Sequence, residues 1–168
     1  CANWHVSKTF TLIADYLQLD KKYLQSYDLH IPENVEHEVR DYLASKSGRN
    51  VVINIFAGHP DRSMSQEQLA TLLTRLREEY PAINIILLDH RNEIRLSLPE
   101  KVSVNPFKTL HHCMALIAQA DLVISPDTSV VHMAAAWKKP LVAVYKDVRM
   151  NNRLWAPGYD RARQIIVK

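Results

Sequence analysis

Between Val51 and Tyr145 the chain alternates short apolar runs with amphipathic segments, and that alternation leaves few folds open. Val51–Phe56, Ile83–Leu88, Val102–Val104, Leu122–Ser125 and Leu141–Tyr145 are brief and rich in β-branched residues, as strands buried on both faces are. Leu69, Leu72, Leu73 and Leu76 make one stripe within Ser65–Tyr80, where Ser65 and Glu67 supply helix-start chemistry and Pro81 ends the segment. Leu110, Cys113, Met114 and Ile117 mark a second helix, and Thr128–Trp137 a third. Strands alternating with helices imply right-handed crossovers and a parallel sheet covered on both faces, a doubly wound α/β domain. Two further helices come first, one carried by Phe10, Ile13 and Leu17 and one by Val35, Val39, Tyr42 and Leu43. An irregular stretch around Leu29–Glu33 separates them, and Ser47-Gly48-Arg49-Asn50 is a turn. In such sheets ligands sit beyond the carboxyl ends of the strands. Chemistry is therefore expected in the loops after Phe56, Leu88, Ser125 and Tyr145.

Composition narrows the choice. The 168 residues suit one domain, and 47% apolar with 23% charged residues excludes disordered, collagen-like and disulfide-scaffold classes. No run approaches the ~18 apolar residues of a membrane span. There are only three glycines, Gly48, Gly58 and Gly158, too dispersed for G-x-G-x-x-G or for a P-loop. Cys1 and Cys113 form no spacing motif; Cys113 reads as a small core residue, which fits a reducing cytoplasmic compartment. The first residue is Cys, and Cys1–Phe10 lacks a signal-peptide layout, so the chain reads as a piece of something longer. A net charge of +3 is too mild to argue for nucleic acid. From Lys138 to Lys168, however, eight basic residues face Asp147 and Asp160, while the preceding 137 residues carry thirteen basic against sixteen acidic. That segment is either a solvated tail or a surface for an anionic ligand.

The most informative stretch runs from Ala120 to Ala136, where an apolar strand enters Ser125-Pro126-Asp127-Thr128-Ser129 and opens directly into a helix. Asp127 or Thr128 can cap that helix, whose early N–H groups then face the strand-end crevice as a ready anion site. Thr128 and His132, four apart, are expected on one helix face. The plain alternative is that Asp127 and Thr128 only cap and His132 is a satisfied buried histidine.

This stretch resembles the S-x-D-T-G-x-x-H-x-A-A-A signature of glycosyltransferase family 9, the heptosyltransferases, and Lys139–Tyr145 resembles its K-P-x-V-A-x-Y continuation. The resemblance implies the C-terminal half of a GT-B enzyme: residues 51–168 a Rossmann-like nucleotide-sugar domain, 1–50 a helical lead-in packed on it, and an N-terminal acceptor domain outside this chain. It implies an inverting transfer of heptose from ADP-heptose to the lipopolysaccharide inner core. The catalytic base would be a carboxylate of the other domain, so no catalytic residue is expected here and the chain alone would be inactive.

Carried over residue by residue, the backbone at Thr128–Ser129 and the Thr128 hydroxyl would hold the donor pyrophosphate. Asp127 and His132 would contact the sugar or a phosphate, and repulsion from the diphosphate turns Asp127 toward sugar hydroxyls. Ser129 stands where the signature has glycine. Ala57–Ser65 resembles the first phosphate loop: Gly58 permits close backbone approach, His59 replaces a hydroxyl residue, and Arg62 is the cation, with Ser65 where a Trp would fall. Glu93, then Asp89, are candidates for a ribose hydroxyl, or else solvated carboxylates. Asn151–Pro157 resembles an N-x-x-W-x-P element whose Trp155 closes over the donor or merely covers a core edge. No metal cofactor is expected: D-x-D is absent, and the consecutive His111 and His112 point ~100° apart on a helix. The implied partners are a nucleotide sugar and an anionic glycolipid, with peripheral contact at the inner membrane face through the basic segment. Two rivals stand beside this reading. One is the same enzyme class with another nucleotide sugar or a polysaccharide acceptor; the other is a non-catalytic flavodoxin-like module, for which Gly58–Asp61 offers a single acid.

Overall fold

A computed structural model describes residues 6–20 and 28–168. Helices α1 (Val6–Tyr16) and α2 (Glu33–Ala44) lead into β1 (Asn50–Asn54), α3 (Gln66–Glu79), β2 (Asn84–Leu88) and β3 (Val102–Val104). The chain continues through α4 (Leu110–Gln119), β4 (Leu122–Pro126), α5 (Ser129–Ala136), β5 (Leu141–Lys146), α6 (Arg149–Leu154) and β6 (Ala162–Val167). The six strands form one sheet in the order β3-β2-β1-β4-β5-β6, with every neighbouring pair parallel. This is the doubly wound, Rossmann-like α/β arrangement with preceding helices that the alternation predicts.

The period of two along β1 divides the core. Val51, Ile53 and Ile55 pack with Leu69 and Leu73 of α3 and with Ile85 and Leu87 of β2. Val52 turns the other way, to Val35, Val39 and Leu43 of α2, Leu116 and Ile117 of α4, and Val131 of α5. All five residues of β2 are buried, as a strand covered on both sheet faces must be. α3 begins in a reciprocal capping box: the Ser65 hydroxyl accepts the Gln68 N–H at 3.1 Å and the Gln68 side chain accepts the Ser65 N–H at 2.9 Å. Glu67 lies in the first turn, where an acid suits the helix N-terminus, as its position in the sequence suggests.

The lead-in helices differ. α2 buries Val35, Val39 and Leu43 as its spacing predicts, whereas α1 buries Ala14 and leaves Phe10 and Ile13 exposed. Leu17, assigned to that helix from its spacing, lies beyond its end. The sequence reading contained neither α6 nor β6. β6 is an edge strand whose Ile165, Ile166 and Val167 are consecutive and exposed, so it shows neither alternation nor a buried run. Its pairing comes from backbone hydrogen bonding to β5 alone. In the Ser47–Asn50 turn Gly48 has φ +100°, and a Cβ there would be driven into the carbonyl of Ala82. Only glycine suits that position.

Candidate functional site

The strand order reverses direction of winding between β1 and β4, which opens a crevice at their carboxyl ends. A cleft of about 670 Å³ occupies it. All four loops anticipated from the sequence lie at this end of the parallel sheet, and those after β1, β2 and β4 line the cleft; residues after Tyr145 are not among its lining. The segment joining β3 to α4, which carries Asn105, Phe107, Lys108 and Thr109, lines it too and was missed. A three-residue strand with no motif behind it gave little reason to look there.

The β4–α5 turn is built by side chains. Thr128 is the N-cap of α5, in extended conformation with φ −147°, and its hydroxyl accepts the Val130 N–H at 3.2 Å. Because Thr128 is outside the helix, it and His132 do not share a helix face as the four-residue spacing suggested. Beneath the turn lies Asn54, buried at the end of β1. Its amide donates to the Phe56 carbonyl at 3.0 Å and to the hydroxyls of Ser125 and Thr128, each at 3.2 Å. The Ser125 and Thr128 hydroxyls are 3.1 Å apart, and Ser125 donates to the Pro126 carbonyl at 2.9 Å. In the sequence Asn54 is marked only as the one polar residue inside the apolar run Val51–Phe56.

Across the crevice, the loop after β1 makes a short 3₁₀ turn over Pro60–Arg62, which carries Arg62 back toward the β4 loop. Arg62 Nη1 lies 3.2 Å from Asp127 Oδ2, with the carboxylate mostly shielded and the guanidinium about a third exposed. Arg62 thus pairs with Asp127, and Asp127 faces a cation. Gly58 sits at the cleft wall, where the nearest atom to an added Cβ would be Arg62 Nη2 at 3.7 Å.

Part of the lining is apolar: Leu88, Phe107, Leu110, Cys113 and Met133. Burial pushes the Cys113 thiol up to about 11, so it stays protonated near neutral pH and contributes an uncharged surface. Phe107 stacks on His112 with ring centroids 4.5 Å apart and an interplanar angle of 11°. His112 is in turn held by Thr109 Oγ1 at 2.6 Å and Glu38 Oε2 at 3.0 Å. The cleft therefore combines Arg62 and the first residues of α5 with an apolar surface that includes Phe107. Arg91 and Lys108 add charge at its wall. An amphiphilic anion, with phosphate at one end and a planar apolar group at the other, matches that lining.

Of the residues carried over by resemblance, the structure brings Gly58, Arg62, Asp127, Thr128 and Ser129 together in the cleft. His59, His132 and Glu93 are not among its lining residues. His59 caps the 3₁₀ turn, accepting the Asp61 N–H at 3.4 Å. His132 meets Trp155 edge to face with centroids 5.8 Å apart. Glu93 is exposed, 4.0 Å from Arg91. Asp89 does reach the cleft, but its two carboxylate oxygens accept the N–H groups of Glu93 and Ile94, each at 2.9 Å, so it ties its own loop. Trp155 is partly exposed, and its carbonyl accepts the Tyr145 hydroxyl at 2.7 Å. The Asn151 side chain lies outside the described residues. Among the described residues no group of three or more His, Cys, Asp or Glu is placed to hold a metal ion, and no helix is long and apolar enough to cross a membrane.

Known proteins agree with this picture. The profile of glycosyltransferase family 9 (heptosyltransferase) matches residues 2–167. The Escherichia coli (strain K12) protein named "Putative lipopolysaccharide heptosyltransferase 4" is 27% identical over 171 residues, which cover 99% of this chain and 47% of that protein. A glycosyltransferase family 9 crystal structure from Veillonella parvula superposes with TM-score 0.76 at 14% identity, over 97% of this chain and 49% of the other. The E. coli heptosyltransferase WaaC with ADP gives TM-score 0.64 at 20% identity, over 99% and 51%. The chain spans about half the length of each.

Proposed function

The chain belongs to glycosyltransferase family 9, and from that premise we propose that it is the donor-binding half of an inverting heptosyltransferase. ADP-heptose is the donor in this reading, with its diphosphate in the β1–β4 crevice. The observation that carries it is the cleft's mixed lining, in which Arg62 and the N-terminal residues of α5 stand with the apolar surface of Phe107, Cys113 and Met133. The structural likeness to the E. coli heptosyltransferase WaaC with ADP supports an adenine nucleotide as the ligand class.

In an inverting transfer an acceptor hydroxyl attacks the anomeric carbon while the bond to the diphosphate breaks. The attacking hydroxyl must lose a proton, and the departing diphosphate gathers negative charge. This chain performs the second task. The first turn of α5 carries the positive end of the helix dipole, with its Val130 and Val131 N–H groups turned to Thr128, and Arg62 can exchange Asp127 for a phosphate oxygen. Asp127, released from Arg62, then faces sugar hydroxyls. The charge is met by protein groups without a metal cofactor. The base belongs to the acceptor-binding domain, outside this chain; 51–168 is the nucleotide-sugar domain and 1–50 its lead-in. The acceptor is an anionic glycolipid, and the basic Lys138–Lys168 segment faces an anionic membrane surface.

Calorimetric titration with ADP, UDP and ADP-heptose tests this, on the wild-type chain and on Asp127→Ala. ADP is expected to bind more tightly than UDP, and Asp127→Ala to weaken ADP-heptose without weakening ADP. Equal binding of ADP and UDP would overturn the donor assignment. Heptose transfer by the chain alone, at the rate of a full-length enzyme, would overturn its reading as half an active site.

A further inference from the structure

The Thr128 hydroxyl faces the crevice in sequence but is fully spoken for in three dimensions. A hydroxyl has one proton to donate and two lone pairs to accept with. Ser125, wholly buried, spends its proton on the Pro126 carbonyl at 2.9 Å, a partner that can only accept. The 3.1 Å contact between the two hydroxyls must then carry the Thr128 proton to Ser125. Thr128 Oγ1 meanwhile accepts from Val130 N–H and from Asn54 Nδ2, both at 3.2 Å. Ser125 Oγ likewise accepts from Thr128 and shares one Asn54 proton with Thr128 Oγ1, because Nδ2 has two protons and the Phe56 carbonyl at 3.0 Å takes the other. Asn54 closes the circuit, since its own Oδ1 accepts the Phe56 N–H at 3.3 Å and its Nδ2 also reaches the Phe56 carbonyl.

We propose that Asn54 is a positioning residue for phosphate binding. It locks the Thr128 proton inward through Ser125, so that the β4–α5 turn presents main-chain N–H groups, and not the Thr128 hydroxyl, to the diphosphate. This deepens the donor-site reading above and rests on it. It also revises the role that the resemblance gave Thr128. One amide side chain joins the end of β1 to the loops after both central strands, so the aim of the α5 N-terminus is set from the strand across the crevice. Buried networks of this kind are effective only when every member is satisfied.

The test separates the phosphate end of the ligand from the base end, using ADP, inorganic pyrophosphate and adenosine as probes. Calorimetric titration of the 168-residue chain is paired with amide NMR shifts of Ser129 and Val130. Asn54→Ala is expected to weaken ADP and pyrophosphate about tenfold, leave adenosine within about twofold, and abolish the pyrophosphate-induced shifts. Ser125→Ala, which removes little volume and keeps the fold if Asn54→Ala does not, is expected to give the same phosphate-selective loss. Were the Thr128 hydroxyl a direct ligand contact, Ser125→Ala would free its proton and preserve or improve pyrophosphate binding; that result overturns the inference. A double variant Asn54→Ala with Thr128→Val is expected to lose no more than either alone, and multiplying losses would also overturn it. Parallel loss of ADP and adenosine overturns the positioning role while leaving the donor site standing. A wild-type chain that binds neither ADP nor pyrophosphate overturns the donor-site reading itself, and this inference with it.

Discussion

β1 begins and ends in asparagine, and its two ends put the same kinds of residue to different use. At the amino end the Asn50 N–H donates to Asp121 Oδ2 at 2.7 Å, and Asn84 donates to the Ser47 carbonyl at 2.9 Å. Gly48 lies against the Ala82 carbonyl with no space for a side chain. At the carboxyl end Asn54 is just as fully bonded, yet a cleft of about 670 Å³ opens above it. The difference lies in what the acidic residue and the glycine face. Asp121 is bound to main chain that cannot move without the sheet moving. Asp127 is bound to the tip of an arginine on another loop, and Gly58 to nothing but the cleft and that same arginine. Polar residues that answer to backbone close a turn, whereas those that answer to one another across two loops leave an arrangement a ligand can exchange.

The comparison breaks most visibly at Gly48. With φ +100° and the Ala82 carbonyl in the way, Gly48→Ala adds backbone strain to a steric clash, together on the order of 3 kcal/mol. Thermal unfolding followed by circular dichroism should show the midpoint lowered by roughly 10 °C. An unchanged midpoint would mean that the amino end of β1 is not closed as described.

The next largest effect belongs to the exchangeable pair. Arg62→Ala is expected to weaken ADP about tenfold, because a charge-assisted contact to phosphate is lost. Asp127→Asn should act in the opposite sense on ADP. The Arg62–Asp127 pair is partly exposed, so it contributes under ~1 kcal/mol, and breaking it frees Arg62 for phosphate. Tightening of ADP by about two- to threefold in calorimetry, diminishing as salt is raised, would bear out the exchange. Equal weakening by both substitutions would show that the pair is a fixed brace.

Which parts of this were legible in the sequence follows from where the signal resides. β1, β2 and β4 are buried on both faces and β5 on alternate residues, and all four read as apolar runs; β6, at the edge, is paired through main-chain hydrogen bonds that leave no such mark. The loops after β1 and β4 were legible because parallel winding fixes which strand ends face the crevice and because their residues resemble a known motif. Side-chain direction was not. His132 follows Thr128 by four, but the cap residue is not helical, and His132 meets Trp155 instead. Asp89 and Glu93 are both acids after β2, and only the fold shows that one ties its loop while the other is exposed. Asn54 is a single letter whose role depends on Ser125 and Thr128, seventy-one and seventy-four positions away.

The smallest effect sharpens the comparison most, because it uses the same substitution at the other end of the strand. Gly58 has ordinary backbone geometry, and its added Cβ would meet only Arg62 Nη2 at 3.7 Å, a normal van der Waals contact. Gly58→Ala should therefore leave the unfolding midpoint within about 2 °C of wild type, since removing a glycine at an unstrained position is neutral or slightly stabilising. The methyl group would stand in the cleft beside Arg62, where a phosphate and the guanidinium must approach each other. ADP affinity is expected to fall about threefold, less than a lost hydrogen bond to a charged group and more than nothing. Titration and melting on the two glycine variants then give opposite pairs of results: stability lost at Gly48, ligand lost at Gly58. If Gly58→Ala bound ADP as wild type does, the diphosphate would have to lie nearer α5 than the loop after β1. Arg62 would then reach it across a gap that the Gly58 backbone does not help to form.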